Sequence, residues 1–178
     1  GRSGALKVLV VGDSLGAAAL NDAMPKALAL LAPADRPQVT HQAGTRQIDA
    51  LRAAYRAAGV EGELLPFIDD MAERYGGADL VICRAGALTV AELAAVGVAS
   101  VLVPFPYAVD DHQTANAKFL ADVGAAKICQ QSTMTPEVLN QLFTTLMNRQ
   151  LLTEMAVKAR QHAQPNATQH VVDLIQKM

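Results

Sequence analysis

The chain has 178 residues and a formal net charge of −2, from 15 Lys and Arg against 17 Asp and Glu; 51% of its residues are hydrophobic and 4% aromatic. That length fits one ordinary domain with a substantial core, and the apolar share argues against a disordered or low-complexity chain. There is no basic excess to attract nucleic acid, and no apolar stretch approaches the ~20 residues needed to cross a bilayer.

Cys83 and Cys129 each sit in an apolar run, which argues against a disulfide scaffold or zinc cluster and for a reducing compartment. Ala5–Val11 is a short run ending in glycine rather than a secretory h-region. Any membrane contact is expected to be peripheral.

Short β-branched runs alternate with longer Ala- and Leu-rich segments. Leu6–Val11 is nearly continuous apolar, as befits a strand buried on both faces of a parallel sheet. Gly12–Gly16 turns into a helix predicted over about Leu15–Leu31, which Pro25 should kink or divide. Pro33–Pro37 punctuates, Gln38–Gln42 reads as a strand, and Ile48–Ala58 is helical up to Gly59. A short strand near Glu63–Leu65 precedes Pro66, and a helix begins around Asp69. Leu80–Cys83 is the next buried strand, followed by a helix from about Thr89 to Val96 closed by Gly97. Ser100–Val103 is a strand stopped by Pro104 and Pro106; a helix over Gln113–Asp122 and a last strand over Ala126–Cys129 follow. From Pro136 onward three helical segments are expected, with a break near Gln164–Asn166. The repeated βαβ pattern predicts one α/β domain over residues 1–178, a Rossmann-like doubly wound parallel sheet flanked by helices.

In such a sheet, ligands bind outside the carboxyl ends of the strands, where the strand order reverses. That rule selects the loops Gly12–Gly16, Pro66–Met71, Arg84–Thr89 and Phe105–Gln113. In the first, glycines and a following helix N-terminus suit a phosphate, with Ser14 as a further donor; alternatively Asp13 or Ser14 simply caps the helix. Gly12-Asp13-Ser14-Leu15-Gly16 also fits a nucleophile elbow and resembles the first block of GDSL-type esterases. That chemistry needs a base and an orienting acid, and neither His162 nor His170 is preceded by aspartate at the family's spacing.

In the second loop, Phe67 and Ile68 suit packing on a flat base, or else a hydrophobic staple. In the third, Thr89 and Glu92 match a capping box, yet a glutamate there also suits ribose hydroxyls. Arg84 reads as a solvated charge or a phosphate partner. In the fourth, Asp110, Asp111, His112, Gln113 and Asn116 crowd together; their amide and imidazole groups suit sugar hydroxyls better than a metal ion.

Several runs together resemble the MurG family of peptidoglycan N-acetylglucosaminyltransferases, which have the two-domain GT-B fold. They are Val10–Ala17 with Leu20-Asn21, Phe67-Ile68-Asp69-Asp70-Met71, Ala78–Glu92, Val103-Pro104-Phe105 and Asp110–Ala117. The chain looks like the C-terminal, donor-binding half of that family. The resemblance implies UDP-N-acetylglucosamine as the donor, with Ser14 and Gly16 at its diphosphate, Ile68 reading uracil through its backbone, and Met71 nearby. It implies that Ala87, Leu88 and Thr89 line the nucleotide sugar, that Glu92 takes the ribose hydroxyls, and that His112 and Gln113 hold the GlcNAc hydroxyls.

The family's reaction is inverting, with UDP displaced by a hydroxyl of lipid I to give lipid II, and no metal or cofactor is expected. The general base, the lipid I site and the membrane-facing patch are expected in the absent N-terminal half. The family's location would be the cytoplasm, peripheral on the inner membrane. Alternatives of similar fold are another GT-B transferase or a non-hydrolysing epimerase. One departure stands out: Asp13 replaces the second glycine of the family's Gly-Gly-Ser, placing a negative charge beside the expected diphosphate.

Overall fold

In the computed structural model, residues 3–12, 18–108 and 111–164 are described. Lys7–Val11 (β1), Gln38–Gln42 (β2), Glu63–Leu65 (β3), Leu80–Cys83 (β4), Ala99–Leu102 (β5) and Ala126–Ile128 (β6) form one sheet in the order β3-β2-β1-β4-β5-β6. Every pairing is parallel, from Lys7 opposite Gln38 at one start to Leu102 opposite Ile128 at the other side's end. This is the doubly wound order, and it reverses between β1 and β4.

The strand side chains alternate between two cores. Val8, Val10, Val39, Leu80, Ile82 and Val101 pack with the helices Ala18–Ala29 (α1), Ile48–Ala58 (α2) and Pro136–Leu146 (α6). Leu9, Val81, Cys83 and Leu102 pack on the other face with Met71–Gly77 (α3), Ala87–Val96 (α4) and His112–Ala121 (α5). Arg149–Gln161 (α7) contributes Leu152 and Met155 to the first core and Ala159 to the second. β4 and β5 are buried along their whole length, which is why β4 reads as an unbroken apolar run and β5 as one interrupted only by Ser100.

Several sequence expectations shift. α1 runs through Pro25 as one continuous helix, with the proline itself buried in the packing of the first core face. α4 begins at Ala87, not Thr89, because Gly86 takes the extended N-cap conformation. The capping box is therefore absent: Thr89 is inside the first turn, and no side chain caps the helix. Gly97 closes α4 as expected, in the left-handed region at φ 74°, and a Cβ there would meet Arg160 Cβ at 2.9 Å. After Pro136 the described residues hold two helices, and the third predicted segment lies outside them. No helix among the described residues is long and apolar enough to cross a membrane.

Candidate functional site

β1 and β4 end side by side at the reversal of strand order. Gly12 N–H donates to Gln42 O (3.1 Å), fastening the start of the first loop to the end of β2. Asp13, Ser14 and Gly16 lie outside the described residues, as do Val109 and Asp110.

The loop leaving β4 is held from two sides by α5. Ala85 N–H donates to Gln113 Oε1 (3.3 Å), and Ala85 O accepts from Asn116 Nδ2 (3.0 Å). Gln113 and Asn116 are three residues apart, so they share one face of α5 and grip the same peptide. Gln113 Oε1 also accepts from Phe105 N–H (2.9 Å), tying the loops after β4 and β5 together. With its oxygen engaged twice, Gln113 has its amide N–H groups left to offer a ligand.

Arg84 is neither a solvated charge nor exposed to a phosphate. It is 5% exposed, and its guanidinium donates to Val103 O (3.1 Å), Pro104 O (3.4 Å) and Gln131 Oε1 (2.6 Å), with Phe105 stacked 5.5 Å away. It binds the loops after β4, β5 and β6 into one unit.

The clamped loop delivers the N-terminus of α4 to the rim. Ala87 and Leu88 are exposed and Thr89 half-buried, and Gly86 contributes no capping side chain. The first-turn N–H groups and the positive end of the helix dipole thus face outward, an arrangement that favours an anion. Glu92, in the second turn, is half-buried. Burial pushes the Cys83 thiol up to about 12, and the charge of Glu92 adds to that shift. The same carboxylate raises Tyr75 further, after burial. Glu92 therefore lies near the end of β4 and the body of α3.

Of the second loop, Ile68 is buried in the core beside Leu9 and Met71 is half-buried against it. The Ile68 side chain is thus unavailable to a base, and Phe67, 61% exposed, is the apolar group at the surface. His112 opens α5 and is exposed; Asp111 before it adopts a left-handed conformation at φ 51° and makes no capping bond. The rim therefore brings together the start of α4, with Ala87, Leu88, Thr89 and Glu92, and the start of α5, with Gln113.

Neither His41 nor His162 stands at the rim as a partner for a serine nucleophile. His41 is fully buried between Tyr55 and Asn21. His162 ends α7, bonded to Lys158 O, beside the helix end that Gly97 closes and so at the opposite end of the sheet. No group of three or more His, Cys, Asp or Glu among the described residues is placed to hold a metal.

A groove of about 1010 Å³ opens elsewhere, against α3 and the first residues of β1, β2 and β3. Its polar groups satisfy one another: Arg74 pairs with Glu63 (2.7 Å), which also accepts from Thr40 Oγ1 (2.8 Å). It lies away from the carboxyl ends of the strands and is not the candidate site.

Sequence reasoning missed one group near the rim. Asn21, His41, Gln47 and Tyr55 form a hydrogen-bonded cluster behind the first loop. The alternation of Gln38–Gln42, which puts Val39 and His41 on one face, was the available signal.

The comparisons agree with this fold. Residues 7–173 match the model of the glycosyltransferase family 28 C-terminal domain. The UDP-N-acetylglucosamine–N-acetylmuramyl-(pentapeptide) pyrophosphoryl-undecaprenol N-acetylglucosamine transferase of Acinetobacter baumannii (strain AYE) is 70% identical over 97% of this chain and 47% of its own length. The transferase of the same name from Aromatoleum aromaticum is 64% identical over 100% of the chain and 50% of its own. The crystal structure of Acinetobacter baumannii MurG superimposes with a TM-score of 0.91 at 68% identity, covering 98% of this chain and 53% of that one. The chain spans about half the length of the curated relatives it matches. It is a member of the glycosyltransferase family 28 C-terminal domain family.

Proposed function

We propose that the chain is the donor-binding half of an inverting N-acetylglucosaminyltransferase that uses UDP-N-acetylglucosamine to convert lipid I to lipid II. The observation that carries this reading is the uncapped N-terminus of α4, held by Gln113 and Asn116 at the β1/β4 reversal with Glu92 beside it. A diphosphate would sit against the first-turn N–H groups of α4 and against Ser14 and Gly16 of the first loop. Those donors would stabilise the charge that develops on departing UDP.

In this reading Ile68 offers its backbone to uracil beside Met71, and Ala87, Leu88 and Thr89 line the nucleotide sugar. Glu92 accepts from both ribose hydroxyls. His112 and the amide of Gln113 hold the GlcNAc hydroxyls. The attacking hydroxyl belongs to lipid I, and the general base, the lipid site and a peripheral contact with the cytoplasmic face of the membrane belong to the half of the relatives that this chain does not span. The chain by itself therefore binds donor and transfers nothing.

Titration of UDP-N-acetylglucosamine into the chain, followed by amide chemical shifts, tests this. Saturable shifts are expected at residues 84–89 and 112–113. Glu92→Gln removes a charge-assisted acceptor and should weaken binding by about tenfold. No saturable binding, or equal affinity in the variant, would overturn the assignment.

A further inference from the structure

Behind the first loop lies a closed polar cluster that the donor site does not use directly. Asn21, in α1, donates through Nδ2 to Gln47 Oε1 (2.9 Å) and toward Ala43 O (3.4 Å). Both donors of its amide are thus directed at the turn following β2, which leaves its oxygen to face His41 Nε2 at 3.0 Å. Nε2 must carry the hydrogen, so Nδ1 accepts from the Tyr55 hydroxyl on α2 at 3.1 Å. His41 is fully buried and Asn21 nearly so. Each bond has one geometry that satisfies all partners, so the cluster fixes α1, β2, α2 and residues 43–47 in one register.

The placement matters because the cluster adjoins the carboxyl ends of β1 and β2. Gly12 hangs on Gln42 O, and Gln47 N–H closes a turn on Gly44 O (3.1 Å). Any slide of α1 along β2 would move the start of α1, at Ala18, relative to α4. We propose that Asn21, His41 and Gln47 act together as a positioning unit that sets α1 and the turn after β2 against the crevice, and so tunes affinity for the diphosphate end of a nucleoside diphosphate. This rests on the donor-site reading above.

The test compares UDP with uridine in the chain and in two variants, Asn21→Ala and the milder Gln47→Ala, which removes one bond of the cluster. The expected result is a loss of about tenfold in UDP affinity with uridine affinity within about twofold of the parent. Hydrogen exchange provides a readout that needs no ligand: the Gln47 amide should lose protection while α6 amides keep theirs. If Asn21→Ala does not fold, Gln47→Ala decides by the same two measurements. Equal losses for UDP and uridine, or unchanged Gln47 protection, would overturn the proposal. Should the parent chain bind neither ligand, the donor-site reading falls, while exchange at Gln47 still decides whether the cluster fixes the turn.

Discussion

Arg84→Met is expected to lower the unfolding free energy by about 3 kcal/mol or more, the largest effect of any single rim substitution. The methionine fills much of the same space, so the loss comes from polarity rather than volume. Val103 O and Pro104 O are buried acceptors in the loop after β5, and Gln131 Oε1 faces the same guanidinium from beyond β6. Leaving a buried acceptor without a donor costs about 1–3 kcal/mol, and more where the lost donor is charged. Arg84→Lys keeps the charge but not the planar fork, so it can serve only part of this set and should fall between parent and Met variant. Urea-induced unfolding followed by circular dichroism measures both. A Met variant within about 1 kcal/mol of the parent would mean that the loops after β4 and β5 are held by Gln113 and Asn116 without help from Arg84.

Why Arg84 escaped the sequence reading is instructive. A charged residue directly after a buried strand normally marks the surface, and nothing local shows that the loops after β5 and β6 fold over it. Its acceptors lie 19, 20 and 47 residues away. The strands themselves were legible because β-branched runs are bounded by glycine and proline, and both fully buried strands, β4 and β5, carry no polar alternation that could mislead. The start of α4 was misplaced for a local reason. Thr89 and Glu92 have the types and spacing of a capping box, but Gly86 reaches the extended cap conformation first, and the two residues lie one turn further in. That same shift is what leaves the helix N-terminus open for an anion. For the cluster of Asn21, His41 and Gln47, the alternation of Gln38–Gln42 turns His41 inward, but its partners lie on separate elements, where each polar residue has an ordinary local role available.

Stability should also fall as pH drops below about 6.5, and His41 is the group responsible. Burial between the neutral side chains of Tyr55 and Asn21 lowers its pKa from 6.5 to about 3. The folded protein therefore keeps His41 neutral while the unfolded chain takes up a proton as pH falls through 6.5. The stabilisation is complete above that value and is lost progressively down to about 3. One proton bound only by the unfolded state gives a slope of about 1.4 kcal/mol per pH unit, so roughly 2 kcal/mol is lost by pH 5. Glu63 and Glu137, whose carboxyls are held below their usual 4.5, act in the lower window, where acid removes their contribution as it falls through their folded values. Comparison with His41→Gln isolates the effect. Glutamine can donate to Asn21 Oδ1 and accept from the Tyr55 hydroxyl without a titrating proton. The variant starts less stable at pH 7.5 because its fit is poorer, but its curve between pH 6.5 and 5 should be flatter by about one proton's slope. Parallel curves for the parent and the variant would show that His41 is protonated in the fold, and with it that Nδ1 does not accept from the Tyr55 hydroxyl.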